Sequence, residues 1–302
     1  MTSHSPADRH VTFDSVYVLE FLGPLDDQTG LNLFRKVLEP RGLSHNIYTC
    51  HIDVHHPTSF VPSLWQVHKE CEERHLSPFI HFETHGTSTG LGLDPTTMIS
   101  WEELVPPLRA INTVSRMNLV VTLAACHGLS FVRALTPLEA SPVWAMLGPN
   151  EQVFQSEIEK GFATFYGVLL DTLNLSAALT ALRAEVLQPE AWLLRSAEFF
   201  FSVVFGHFLE DAARPGDRQA RERKLVKKLQ RRARKDPNLR LPLDIRRRVR
   251  DDIADDESHF QRYKKRFLML NDFPENEKRF PLTRDDCLAT WSAQREAYEA
   301  AG

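Results

Sequence analysis

Short apolar runs alternate along the first part of the chain with longer stretches of helical spacing. Ser15–Leu22 (SVYVLEFL) is apolar with β-branched and aromatic content and stops at Gly23-Pro24, which predicts a buried strand. Leu31, Leu33, Phe34, Val37 and Leu38 have helical spacing, ended by Pro40-Arg41-Gly42. Asn46–Val54 (NIYTCHIDV) alternates like a second strand, and Phe60, Leu64, Val67 and Cys71 mark a helical face within Ser59–His75. Pro78–Phe82 starts a third strand that ends on Thr84-His85-Gly86, and the glycine-rich Thr87–Ile99 predicts a loop or hairpin. Ser100-Trp-Glu-Glu103 is a capping box opening a helix that runs to about Ser115. Leu119–Ala124 is a buried strand running into Ala125-Cys126-His127-Gly128, and Pro142–Leu147 (PVWAML) is a further strand. Gln155–Leu173 and Ser176–Val186 are helices.

Strands alternating with helices in this order predict an α/β fold, a three-layer sandwich with a mostly parallel sheet covered on both faces. In such sheets ligands and chemistry collect at the carboxyl ends of strands. His85 and Cys126 each sit at such an end, and face one crevice if their strands are neighbours. From Pro189 onward the pattern is helical only, predicting two parts, 1–187 and an α-helical extension over 188–302. In the extension Ala191–Leu209 is strongly apolar, and Arg218–Lys235 is basic and helical in period. Asp244–Leu270 carries a sparse apolar stripe of Ile245, Val249, Ile253, Phe260, Tyr263 and Phe267.

Composition changes this picture little, but charge does. The 302 residues are 42% hydrophobic and 25% charged, an ordinary globular balance. The most apolar stretch, Ala191–Leu209, contains Arg195, Glu198 and His207 and falls short of a membrane span, so no membrane partner is expected. The polar N-terminus lacks a signal pattern. Cys50, Cys71, Cys126 and Cys287 lie far apart without CxxC spacing, which fits a reducing cytoplasm and neither a disulfide framework nor a zinc knuckle. The net charge of −4 conceals a +12 segment between Arg218 and Arg250, with fifteen Lys/Arg against three acids.

A strand that ends on a thiol followed by glycine suits nucleophilic catalysis. A free thiol is only a few per cent ionised at neutral pH, and a histidine in reach takes its proton and later hands it to the leaving amine. Glycine lets the chain turn and the substrate approach, and a backbone amide beside the nucleophile can stabilise an oxyanion. Caspases carry an Ala-Cys-x-Gly core with the histidine about 50 residues upstream. Here Ala125-Cys126-His127-Gly128 follows His85 by 41 residues.

On these motifs the chain resembles the caspase-like (clan CD) cysteine peptidases, most of all their prokaryotic caspase and CHAT-type branches. The following PVWAMLGPNEQV and GFATFYGVLL are also similar, and the resemblance covers about residues 14–187. It implies that Cys126 is the nucleophile, that His85 is the general base and acid, and that the backbone amides of Gly86 and Cys126 form the oxyanion site. Residue 124 is Ala where metacaspases carry an Asp, and Asp26 and Asp27 stand where caspases supply an Arg for substrate Asp. Asp26, Asp27 and Glu151 are therefore the candidates for a P1 pocket, favouring a basic or neutral P1 residue. About a dozen residues separate Cys126 from the PVWAM strand, too few for the long cleavable linker of executioner caspases.

Other constellations add less. His51, Asp53 and His55 share one face of a strand, as three zinc ligands would, but a polar sheet rim is the simpler reading and no metal or other cofactor is expected. His127, next to Cys126, would point to the other face of an extended strand. The basic run lacks interleaved aromatics and any legible DNA-binding motif, so nucleic acid is not the expected partner, and a solvated helix on an acidic surface is preferred. The same run would be a good cleavage site for a peptidase, either this one or an activating one. The leading expectation is a soluble, cytoplasmic cysteine endopeptidase acting on protein substrates, in a prokaryotic signalling or antiviral defence cascade and controlled by proteolytic cleavage or a regulatory protein. The alternative is an inactive caspase-fold scaffold or a nucleic-acid-binding protein using the basic helices.

Overall fold

The computed structural model describes residues 12–93, 97–236 and 239–301. The chain divides into two compact units, one of 1–135 and 141–200, the other of 136–140 and 201–302.

The first unit is built on a six-stranded sheet. Its strands β1 (Ser15–Phe21), β2 (Tyr48–Asp53), β3 (Pro78–Thr84), β6 (Val120–Ala124), β7 (Ala145–Pro149) and β8 (Trp192–Ser196) lie in the order β2-β1-β3-β6-β7-β8. All neighbours are parallel except β8, which runs antiparallel to β7. A small hairpin of β4 (Gly90–Gly92) and β5 (Met98–Ser100) occupies the glycine-rich stretch after β3. The helices are α1 (Thr29–Leu33) and α2 (Glu39–His45), joined by a π turn over Phe34–Leu38, then α3 (Pro57–Arg74), α4 (Trp101–Val114), α5 (Gln155–Thr172) and α6 (Leu175–Glu185).

Alternation along the strands assigns the layers. Phe21 and Phe82 meet Phe60 of α3, with ring centroids 5.9 and 5.4 Å apart, and α4 packs beside α3 on that face. On the opposite face His81 lies edge-on to Phe162 of α5 at 4.7 Å, and Gly30 and Thr29 of α1 sit on Glu20 and Glu83. The sandwich is thus α/β/α, with β1, β3 and β6 buried along their whole length. The capping box forms as the sequence predicts: Ser100 Oγ accepts from Glu103 N at 3.3 Å, and Glu103 Oε2 accepts from Ser100 N at 2.8 Å.

Two elements differ from the sequence pattern. The helix expected to stop near Pro40 continues to His45, with Pro40 in the first turn of α2. Inside a regular α-helix the proline ring would clash with the Lys36 carbonyl. The π turn widens the helix just before it, and Asn46, at φ 57°, ends it. The apolar stretch Ala191–Leu209 reads as one helix but divides into β8 and α7 (Ala197–Ala213). Trp192, Leu194 and Ser196 alternate inward against β7, so five of these residues complete the sheet before the helix starts. The boundary between units accordingly falls at Phe200/Phe201 instead of 187/188.

The second unit is helical: the end of α7, then α8 (Pro215–Lys235), α9 (Ile245–Ala254), α10 (Asp256–Phe267), α11 (Asn276–Arg279) and α12 (Arg284–Ala301). The apolar stripe over Asp244–Leu270 is cut at Asp255, whose side chain caps α10 by accepting from Ser258 N at 2.9 Å. Val249 and Ile253 then pack with Val226 of α8, while Phe260, Tyr263 and Phe267 join Phe201, Phe205 and Phe208 in an aromatic core. Among the described residues no helix is long and apolar enough to cross a membrane.

Candidate active site

Strand register fixes the site. β3 and β6 pair in parallel with His81 opposite Thr122 and Glu83 opposite Ala124. Register partners on parallel strands point to the same face about 4.8 Å apart. Both strands end just beyond, at Thr84 and Ala124, so His85 and Cys126 follow on two adjoining strand ends. The backbones touch there: a Cβ added to Gly86 would lie 2.2 Å from the Cys126 carbonyl oxygen and 3.2 Å from its nitrogen. His127 takes the left-handed conformation (φ 59°) and turns the chain from β6 into a 3-10 turn over Gly128–Ala134. That kink, just past the end of β6, brings His127 to the cavity, where an extended strand would have pointed it away.

His85 and Cys126 line one cavity of about 620 Å3, together with Gly86, Asp26, Gln152 and Gln155. Cys126 is half-buried and His85 exposed. His85 Nε2 lies 3.1 Å from Asp26 Oδ2, which also accepts from the Gly23 amide at 2.7 Å. Burial works against the Asp26 carboxylate, but the Gly23 N–H and the His85 ring together hold its pKa below the usual value. With Nε2–H donating to Asp26, Nδ1 is left with a lone pair, the arrangement a base needs; the tautomer is inferred from this partner. No hydrogen bond joins the ring to the thiol. Among the described residues nothing accepts from the Gly86 or Cys126 amides: the Gly86–Leu91 bridge is made by Thr87 N to Gly90 O and Gly92 N to His85 O. Both N–H groups are therefore available to an oxyanion.

Of the acidic candidates, Asp26 lines the cavity but is engaged by His85, which makes it a positioning group for the ring. Asp27 and Glu151 are exposed and lie outside the cavity lining, although Gln152 beside Glu151 belongs to it. The three do not converge on one pocket.

Beneath the site is a polar network that sequence reasoning passed over. Glu20 and Glu83 lie side by side on β1 and β3, almost fully buried. Glu20 accepts from Gly30 N at 2.8 Å and meets His51 Nε2 at 2.8 Å; Glu83 accepts from Thr29 Oγ1 at 2.7 Å and meets His81 Nε2 at 3.0 Å. His81 Nδ1 continues to Thr122 Oγ1 at 2.9 Å, which meets Tyr166 Oη at 2.6 Å. The positive end of α1 rests on both carboxylates. The available signal was polar residues recurring at period two inside otherwise apolar strands.

The remaining candidates lie elsewhere. His51 is held by Glu20, and His55 pairs with Asp53 at 3.5 Å. Among the described residues no group of three His, Cys, Asp or Glu is placed to hold a metal. Burial, the largest influence on each, pushes the Cys71 thiol up to about 12, that of Cys287 to about 11, and that of Cys50 upward. The fold and site together define an α/β protein with a mostly parallel six-stranded sheet and a Cys-His pair at adjacent strand ends. No protein-family model matches the chain, and no curated protein matches it.

Proposed function

We propose that this chain is a cysteine endopeptidase of the caspase-like kind, in line with the sequence resemblance to the prokaryotic caspase and CHAT-type branches. The observation that carries the reading is the meeting of His85 and Cys126 at hydrogen-bonded neighbouring strands, in one cavity, with two uncommitted amides. His85 Nδ1 takes the Cys126 proton; the thiolate attacks the scissile carbonyl, and the Gly86 and Cys126 amides hold the oxyanion. The C–N bond breaks as His85 returns the proton to the leaving amine. Water, deprotonated by the same ring, then hydrolyses the thioester and frees Cys126. Asp26 keeps the ring oriented, as the third member of a triad does. Substrates are proteins, and the resemblance extends to a role in a signalling or antiviral defence cascade.

The test is to incubate wild type and Cys126→Ala separately with a peptide library, map the cleaved bonds by mass spectrometry, and treat both with a peptidyl acyloxymethyl ketone. Cleavage and ketone adduct should occur with the wild type alone. Equal cleavage by both proteins, or neither cleavage nor an adduct at Cys126 in the wild type, overturns the assignment.

A further inference from the structure

The most highly charged surface of the molecule is α8. Arg223, Lys224, Lys227, Lys228, Arg231, Arg232, Arg234 and Lys235 are all exposed. At 3.6 residues per turn these eight fall within one half of the helix circumference. The opposite side carries Val226 and Leu229, which pack against Ile245, Val249 and Ile253 of α9. Of the acids nearby, Glu222 pairs with Arg250, and Asp244 with Arg247 and Arg248. Among the described residues no ion pair to an acid neutralises any of the eight. They also stand in like-charge i,i+4 pairs, 223/227, 224/228, 227/231, 228/232 and 231/235, which repel along the helix. The acidic surface that the sequence pattern suggests for this helix is not what its inner side meets in the second unit; that side packs on α9, which is itself basic.

We propose that the cationic half of α8 is a docking surface for the sugar–phosphate backbone of duplex DNA. The helix is about 32 Å long and, with its side chains, about 10–12 Å across, while the major groove is about 12 Å wide with phosphates on both walls. Charge spread over half a cylinder meets both walls at once, whereas a single acidic helix or flat acidic face would engage only a stripe of it. A membrane surface fits less well, because the apolar side that would enter the lipid is covered by α9. A single strand fits less well too, since residues 215–258 contain no aromatic side chain on which bases could stack. Recognition would read phosphates and not sequence. This surface is independent of the cysteine site and stands whether or not the chain is a peptidase.

The experiment uses the full chain and a fluorescein-labelled mixed-sequence duplex of about 30 base pairs, with anisotropy read between about 50 and 200 mM salt. Neutralising about six phosphates should weaken binding ~10³-fold over that range. The variant K227Q/K228Q/R231Q/R232Q keeps helix-forming residues and should lower the log–log salt slope by about 3 to 4. Circular dichroism checks that the helix persists; if that variant does not fold, K227Q/R231Q should lower the slope by about 2. The proposal is overturned by no binding at the lowest salt, by salt-independent affinity, or by a variant that binds like the wild type. It is equally overturned by tighter binding to poly-glutamate, single-stranded RNA or phosphatidylserine vesicles than to the duplex.

Discussion

Gly86→Ala tests the closeness of the two strand tips. The new Cβ would stand 2.2 Å from the Cys126 carbonyl oxygen and 3.0 Å from Ala125 Cβ. A carbon–oxygen contact settles near ~3.3 Å, and both obstacles belong to the chain framework, so relief requires the tips of β3 and β6 to part by about 1 Å. Overpacking of this kind costs about 1–3 kcal/mol of stability. The larger effect falls on chemistry, because a displacement of about 1 Å between base and nucleophile lowers rate ~10²-fold. Gly128→Ala, on the other side of the cysteine, is the control: its Cβ would meet Leu123 Cδ1 at 2.5 Å, the far end of a side chain that can change rotamer. The assay is kcat/KM on the best peptide from the library, with the melting temperature of each variant. Gly86→Ala should lose ~10²-fold in kcat/KM and Gly128→Ala under ~10-fold. If Gly86→Ala keeps wild-type kcat/KM, or if Gly128→Ala is the more damaged, the touching strand tips are not what assembles the site.

Two further outcomes follow from the geometry. A thiol-reactive peptide electrophile at about pH 7.5 should add once, at Cys126, because burial raises the other three thiols; equal labelling of Cys50 would contradict the assignment. Asp26→Asn should lower kcat with little change in KM, as expected for loss of a ring-positioning group, with Asp26→Glu restoring part of it. Because the folded Asp26 carboxyl lies below its unfolded value, its contribution to stability is present above about pH 4 and is lost as pH falls through the folded pKa. The group is a third exposed, so that contribution stays within the ~0–1 kcal/mol of surface pairs. Melting of wild type and Asp26→Asn between about pH 2 and 5 should converge at the acid end, and a constant difference across the range would exclude the pair as the cause.

The parallel sheet was legible because its central strands are buried on both faces and read as unbroken apolar runs, as Val120–Ala124 does. β8 was not legible. Its residues Trp192–Ser196 border an apolar helix, and only pairing with β7 separates the two. Pro40 was read as a stop because a π turn leaves no compositional mark. At the candidate site, residue type and strand-end position single out His85 and Cys126, whereas the contact between His85 and Asp26 spans 59 positions in the chain. No local pattern carries that contact.

β3 shows why such assignments need three dimensions. His81 and Glu83 occupy alternate positions on one face of β3, and His85 follows two residues on, just past the end of the strand. In sequence the two histidines are equivalent: same residue, four positions apart. Their surroundings separate them. His81 is fully buried with both ring nitrogens engaged, by Glu83 on one side and Thr122 on the other, so it has no atom left for a substrate. His85 comes one residue after the strand ends, where Gly86 brings the chain against Cys126. Its ring holds Asp26 through Nε2 and lines the cavity. β3 can carry His81 and Glu83 because Thr29 of α1 and Thr122 of β6 satisfy them within the core, whereas His85 lies beyond the strand. On the proposed reading, the role of His85 follows from where β3 stops: two more buried strand residues would place His85 in surroundings like those of His81.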